Sequence, residues 1–274
     1  NILYRIENGK IRPSKMLADS IGKMIKGNQE FVMIDDQKVV YENALALAKK
    51  ASLTNKQVLI VQGGPGTGKS VVAINLLVEL TKTGLLAHYV SKNAAPRAVY
   101  ESRLTGSLKP SIIRNLFKGS GAFIGTPENE YDALIIDEAH RLNKHSGLYG
   151  NLGENQIKEI ISASKFCIFF IDEDQRVTIK DIGQKSEIEL WAHKFGASVT
   201  EMELNSQFRC NGSDGYLAWL DNILQIKETA NKDLGDIEYD FKVVDSPSEL
   251  RDIIFEKNEI NNRARLVAGY CWKW

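Results

Sequence analysis

The sequence predicts an α/β protein built on a mainly parallel sheet. Two observations predict it. Short, near-continuous apolar runs alternate with longer amphipathic stretches, the pattern of strands buried on both faces and joined by crossover helices. A glycine-rich segment, Gly63–Ser70, lies between one such run and one such stretch, where a strand would turn into a helix.

Ser14 can cap a first helix running to about Lys26, with Met16, Leu17, Ile21, Met24 and Ile25 on one face. Phe31–Ile34 is short and apolar. Asp35 or Asp36 then caps a second helix, whose Val39, Val40, Ala44, Leu45 and Ala48 are expected to face inward. Gln57–Gln62 reads as a buried strand and Lys69–Lys82 as the helix after the glycine-rich turn. Leu85–Ser91, Asp132–Asp137 and Lys165–Asp172 read as further strands, with Asn155–Ser164 helical between the last two. Beyond about residue 200 the pattern restarts. Val199–Leu204 is a possible strand, Asp214–Ile226 a helix and Phe241–Val244 a strand. Ser246–Lys257 is a helix opened by a Ser246/Glu249 capping box, and Arg265–Tyr270 a final strand. The expected organisation is a helical lead-in over 1–30, a first α/β lobe over 31–200, and a partial second lobe over 201–274.

With 274 residues, the chain can bury a sizeable core in one large or two modest domains. Lys plus Arg equals Asp plus Glu at 35 each, which excludes a global basic signature and leaves only a local patch for nucleic acid. No run approaches the ~20 apolar residues of a membrane span, so no membrane partner is expected, and the N-terminus carries no secretory signal pattern. Cys167, Cys210 and Cys271 are far apart and odd in number, which argues against a zinc site or a disulfide framework and for a reducing cytoplasm. The chain starts at Asn1 and stops at Trp274 inside an apolar run. The expectation is a piece of a longer protein with further domains beyond residue 274; the alternative is a short chain whose last strand docks in its own sheet.

Gly63, Gly64, Pro65, Gly66, Thr67, Gly68, Lys69 and Ser70 match G-x-x-x-x-G-K-[ST] in full. The glycines let several backbone N–H groups point at one phosphate cluster, and the following helix aims the positive end of its dipole there. Lys69 is expected at the β- and γ-phosphates of ATP and Ser70 on Mg²⁺. The run ending at Asp137–Glu138 supplies carboxylates at a strand's carboxyl end: Asp137 to hold Mg²⁺, directly or through water, and Glu138 to orient or deprotonate the attacking water. His140 either couples nucleotide state to a neighbouring segment or caps local structure. Gln175, after the next strand, either senses the γ-phosphate or belongs to a polar loop in which Asp172 and Asp174 are solvated. Arg209, in Gln207-Phe-Arg-Cys210, is either an arginine finger from the second lobe or one half of a surface ion pair. Gln37 carries an amide able to pair with N6 and N7 of adenine, with Phe31 or Tyr41 available to stack on the base.

In this order the pieces resemble a superfamily 1 helicase motor, with a RecA-like P-loop NTPase lobe followed by the beginning of a second, truncated RecA-like lobe. Gln37 falls at the adenine-reading glutamine, Gly63–Ser70 is similar to motif I, Asp137–His140 to motif II, Asp172–Gln175 to motif III and Gln207–Arg209 to motif IV. The segments FVMIDDQKVVYE, SKNAAPRAVY, DEAHRLN, QFRCNGSDGYLAWLD and RLVAGYCWKW resemble a bacterial P-loop family related to the helicase domain of group III Schlafen proteins. The resemblance implies a track for single-stranded nucleic acid, DNA or RNA, touched by Lys92, Asn93 and Arg97 of a motif Ia-like segment. The third motif departs from the family, reading Ile-Asp-Glu-Asp-Gln. The chain also stops ahead of motifs V and VI, which implies weak hydrolysis by this segment alone. The rival reading is an ATP-dependent switch that controls a fused or partner domain without translocation. A guanine-specific enzyme would need Asn-Lys-x-Asp, and Asn231-Lys-Asp233 has the wrong spacing.

Overall fold

The structure, a computed structural model, describes residues 33, 35–94, 97–98, 115–147, 150–176, 178–205, 214–226, 228–229, 241–262 and 264–267. The helix expected at Ser14–Lys26, the residues Phe31 and Arg209, and the end of the strand expected at Arg265–Tyr270 lie outside them. The chain divides into two compact units, Asn1–Asp214 and Gly215–Trp274.

The first unit carries helix α1 (Asp35–Lys50), strand β1 (Gln57–Gly63), α2 (Lys69–Lys82), β2 (Ala87–Ser91), β3 (Phe117–Lys118) and β4 (Tyr131–Asp137). It continues through α3 (Gln156–Ala163), β5 (Ser164–Ile171), α4 (Lys185–Lys194) and β6 (Ser198–Leu204). The six strands form one parallel sheet in the order β3-β2-β4-β5-β1-β6. β5 therefore separates the strand that leads into the glycine-rich loop from the strand that ends in Asp137.

Alternation along the strands builds two cores. Leu59 and Val61 of β1, Ala133 and Ile135 of β4, and Phe166, Ile168 and Phe170 of β5 pack on one face with α1 and α2. Val58, Ile60, Leu134, Ile136, Cys167 and Phe169 face the other way, onto α3 and α4. The result is a three-layer helix–sheet–helix sandwich whose central strands carry near-continuous apolar runs, as parallel strands covered on both faces do. Lys56, just ahead of β1, locks the second layer. Its ammonium donates to the carbonyls of Ile161 (2.6 Å), Ser162 (3.3 Å) and Ser164, the open C-terminal end of α3. Burial pulls its pKa below the usual lysine value.

Three expectations are corrected. Val39 is exposed, because the stripe of α1 that meets the sheet runs through Val40, Ala44 and Ala48 at a spacing of four. The strand expected at Val199–Leu204 does not open a second lobe. As β6 it pairs with β1 along its whole length, so the first unit continues to residue 214 rather than 200. In the second unit, α5 (Asp214–Ile223) and α6 (Pro247–Asn261) form where helices are expected, α5 ending short of Ile226 and α6 running on past Lys257, the latter capped by the Ser246 hydroxyl accepting from the Glu249 amide. No strand forms at 241–244, where Phe241 and Val243 are exposed. A strand needs a hydrogen-bonding neighbour, and the described residues of this unit contain none. Phe241 instead lies edge-on against Trp219, with ring centroids 5.0 Å apart.

Candidate functional site

β1 delivers the glycine-rich loop to the carboxyl edge of the sheet. The loop turns through Gly66 and Gly68, at φ 83° and 84°, left-handed values that favour residues without a Cβ. Thr67 tightens the turn, its hydroxyl donating to the Gly64 carbonyl at 3.0 Å. Helix α2 starts directly from left-handed Gly68 with no side-chain cap. No capping side chain covers the positive end of its dipole, an arrangement suited to an anion. Lys69 is buried, and its ammonium donates to the carbonyls of Gly63 (2.6 Å) and Gly64 (2.8 Å), folded over the loop.

β4 brings Asp137 to the same edge on the face of α2, since it continues the alternation of Ala133 and Ile135. Three donors hold this fully buried carboxylate. The hydroxyls of Ser70 and Tyr89 each donate to Oδ2 at 2.6 Å, and the Glu138 amide donates to Oδ1 at 3.0 Å. Burial raises the Asp137 pKa, and the hydroxyl donors oppose the rise. Glu138 sits at φ 54°, ψ 42°, a left-handed turn that throws its side chain off the strand end. Its carboxylate meets His140 Nε2 at 3.2 Å, and this bond, with Lys69 and Arg141 nearby, holds it below the usual carboxylate range.

His140 joins two loops. Its Nδ1 accepts from the Asp172 amide at 3.2 Å, so the proton sits on Nε2, facing Glu138. These two contacts link the turn after β4 to the start of the loop after β5. Asp172 is buried rather than solvated, and desolvation raises its pKa; Asp174 is exposed. Gln175 donates its amide to Asp172 Oδ2 at 2.8 Å. The turn at 139–140 is backed by Gly183, where a Cβ would stand 1.8 Å from the Ala139 carbonyl oxygen.

The other predicted residues have varied surroundings. Gln37 is buried behind the loop, its amide nitrogen donating to the Thr67 carbonyl at 3.0 Å, and a Cβ on Gly68 would stand 2.2 Å from it. Tyr41 packs against the α1–α2 core, where burial and Glu79 push its phenol up to about 12. Lys92 is tied inward, to Asn143 Oδ1 at 2.8 Å and to buried Asp181 at 3.2 Å, which also holds Arg141 at 3.2 Å. Arg97 donates to the Asn93 carbonyl at 3.3 Å and lies against Gly119. Reasoning from sequence missed Tyr89, Asp181 and Gly183. A Tyr two residues before the end of a strand flanking an acidic strand end is the one signal that reading the register would have offered.

The donor set fits a magnesium nucleotide. Ser70 and Asp137 present two hard oxygens 2.6 Å apart that would suit Mg²⁺, and Lys69 with the uncapped start of α2 would supply positive charge on the adjoining side.

A glycine-rich G-x-x-x-x-G-K-S loop between a buried strand and an uncapped helix, set on a six-stranded parallel sheet across from a strand-end aspartate, defines a P-loop protein of the nucleoside triphosphatase class. Within that class, the family model for the Schlafen group 3 DNA/RNA helicase domain matches residues 56–274, and the chain belongs to this family. Gln37 precedes the matched region. The chain is similar to the uncharacterized protein YPL245W of Saccharomyces cerevisiae, 21% identical over 259 residues, covering 81% of this chain and 56% of the yeast protein. It thus spans little more than half the length of that relative. Among solved structures it is similar to a DNA replication initiation factor (17% identity, TM-score 0.36, covering 84% of this chain and 63% of that one). It is likewise similar to AMPPCP-bound DnaA from Aquifex aeolicus (17% identity, TM-score 0.34, covering 85% and 61%). No helix among the described residues is long and apolar enough to cross a membrane.

Proposed function

We propose that this chain binds ATP with Mg²⁺ and hydrolyses it as the motor domain of a protein that acts on single-stranded DNA or RNA. The observation that carries the reading is the 2.6 Å contact between the Ser70 hydroxyl, in the first turn after the loop, and the Asp137 carboxylate, at the end of a strand one removed from β1. Those two oxygens would hold the metal. Gly63 to Ser70 would cradle the phosphates through backbone amides, with Lys69 leaving the Gly63 and Gly64 carbonyls for the β- and γ-phosphates. Mg²⁺, when bound, neutralises developing charge on the phosphoryl oxygens. Glu138, kept ionised by His140, is the base or water-orienting group. Gln175 would report the γ-phosphate to the loop at Asp172, and Arg209 would bring a second cation. Gln37 would read adenine from a side chain that already supports the loop.

Membership of a DNA/RNA helicase domain family supports a nucleic-acid track. Asn93 and Arg97 would touch the strand's phosphates, and Lys92 would join them by exchanging its pair with Asp181.

Phosphate release by the full-length protein, measured with and without single-stranded DNA and RNA, tests the proposal. Stimulation by a polymer, lost in Lys69→Ala, supports a motor. Turnover that no polymer raises counts against it, and unchanged turnover in Lys69→Ala removes the site itself.

A further inference from the structure

Resting on the reading of Asp137 as a magnesium ligand, we infer that Tyr89 is a positioning residue for that carboxylate and sets the Mg²⁺ requirement of the site. Tyr89 is fully buried, and its phenol donates to Asp137 Oδ2 at 2.6 Å. β2 and β4 run in parallel register with Ser91 opposite Asp137 and Tyr89 opposite Ile135. The Tyr89 side chain therefore leaves the same face of the sheet as Asp137 and reaches forward along the strand to meet it. Phe117 of β3 lies edge-on to its ring, with centroids 5.6 Å apart.

The two hydroxyls on Oδ2 are not equivalent. Ser70 belongs to the turn that must rearrange around phosphates and metal, and its oxygen is itself the expected metal ligand. Tyr89 belongs to a strand buried along its whole length and has no part in the loop. An aspartate's terminal torsion is broad and roughly two-fold, so a carboxylate at a strand end needs outside donors to keep one orientation. Tyr89 is the donor that stays in place whatever the loop does. With the Glu138 amide on Oδ1, it holds the carboxylate in one orientation. Without the phenol, a buried carboxylate keeps one hydroxyl fewer, and the metal must order it on arrival.

The test is binding of a fluorescent ATP analogue to the full-length protein, titrated with Mg²⁺ and, separately, in excess EDTA. Tyr89→Phe keeps the ring and its apolar contacts, so the fold is retained. It is expected to raise the Mg²⁺ concentration for half-maximal binding about tenfold, the loss of one hydrogen bond to a charged group. Affinity in EDTA should stay within twofold. Combined with Ser70→Ala, the two changes should fall short of the product of their separate effects, because both act on Oδ2. Phe117→Leu, which alters the ring's packing but keeps the hydroxyl, should leave the Mg²⁺ requirement alone. An unchanged or lowered requirement in Tyr89→Phe overturns the inference, as does an equal rise in Phe117→Leu. If the wild-type protein binds no nucleotide under any condition, the nucleotide-site reading itself falls, and that result is distinct from either.

Discussion

Replacing Gly183 with alanine adds one methyl group outside the glycine-rich loop, yet it is expected to cut turnover sharply. Gly183 has no left-handed backbone, so alanine suits its torsions and the effect is steric. The new Cβ would stand 1.8 Å from the Ala139 carbonyl oxygen and 2.6 Å from the His140 Cα, and real Cβ contacts do not fall below 3.0 Å. All the clashing atoms are backbone, so the 139–140 turn must retreat by about 1 Å or more. His140 moves with it and loses its 3.2 Å bonds to Glu138 and the Asp172 amide. Overpacking and the two lost bonds together cost about 3 kcal/mol. For a unit of this size that lowers Tm by roughly 6–12 °C. Displacing Glu138 by about 1 Å costs on the order of 100-fold in turnover, while the loop and Lys69 are untouched and nucleotide affinity stays within about threefold. Thermal melts, a binding titration and phosphate release on the purified variant make the comparison. A Tm within 2 °C of wild type (roughly 1 kcal/mol), together with normal turnover, would refute the claim that this glycine supports the acidic turn.

Lys69→Ala should weaken binding of the magnesium nucleotide by roughly 10- to 100-fold in calorimetry, the worth of one charge-assisted contact to phosphate; equal affinity would show the ammonium never leaves the Gly63 and Gly64 carbonyls. Lys56→Met strips the donor from the α3 carbonyls and should lower stability by about 2–3 kcal/mol in urea unfolding, with nucleotide affinity unchanged. A midpoint equal to wild type would mean that other donors satisfy those carbonyls. Glu138→Gln removes a carboxylate whose folded pKa is depressed by His140. Its stabilising contribution is fully present above the ordinary glutamate value and fades as pH falls through the lower folded value. The stability gap between wild type and this variant should therefore be constant near neutrality and close in acid. A gap that widens as pH falls would contradict the pairing.

Residues that act together while lying together in the chain are legible in the sequence. Gly63 to Ser70 is one continuous turn, so its chemistry is written in eight consecutive letters. The alternation that buries Ile135 also aims Asp137, and the spacing of four that buries Val40, Ala44 and Ala48 makes α1 a helix. Local periodicity is less reliable where pairing decides. Phe241–Val244 has strand composition but no neighbouring strand among the described residues, and Val199–Leu204 reads as a strand where a new lobe begins although it belongs to the old one. Its seven-residue register with β1 decides for the edge.

What the amino-acid order determined by itself was the identity of most elements and the contiguous glycine-rich loop, because helix and strand periods and turn chemistry act over a few residues. Only the tertiary structure decided that β5 lies between the two halves of the site, that Tyr89 steadies a carboxylate 48 positions away, and that Gly183 backs the turn at His140. Apolar strands of similar composition can be ordered in many ways, and which atoms meet across the sheet follows from how two cores pack against its faces.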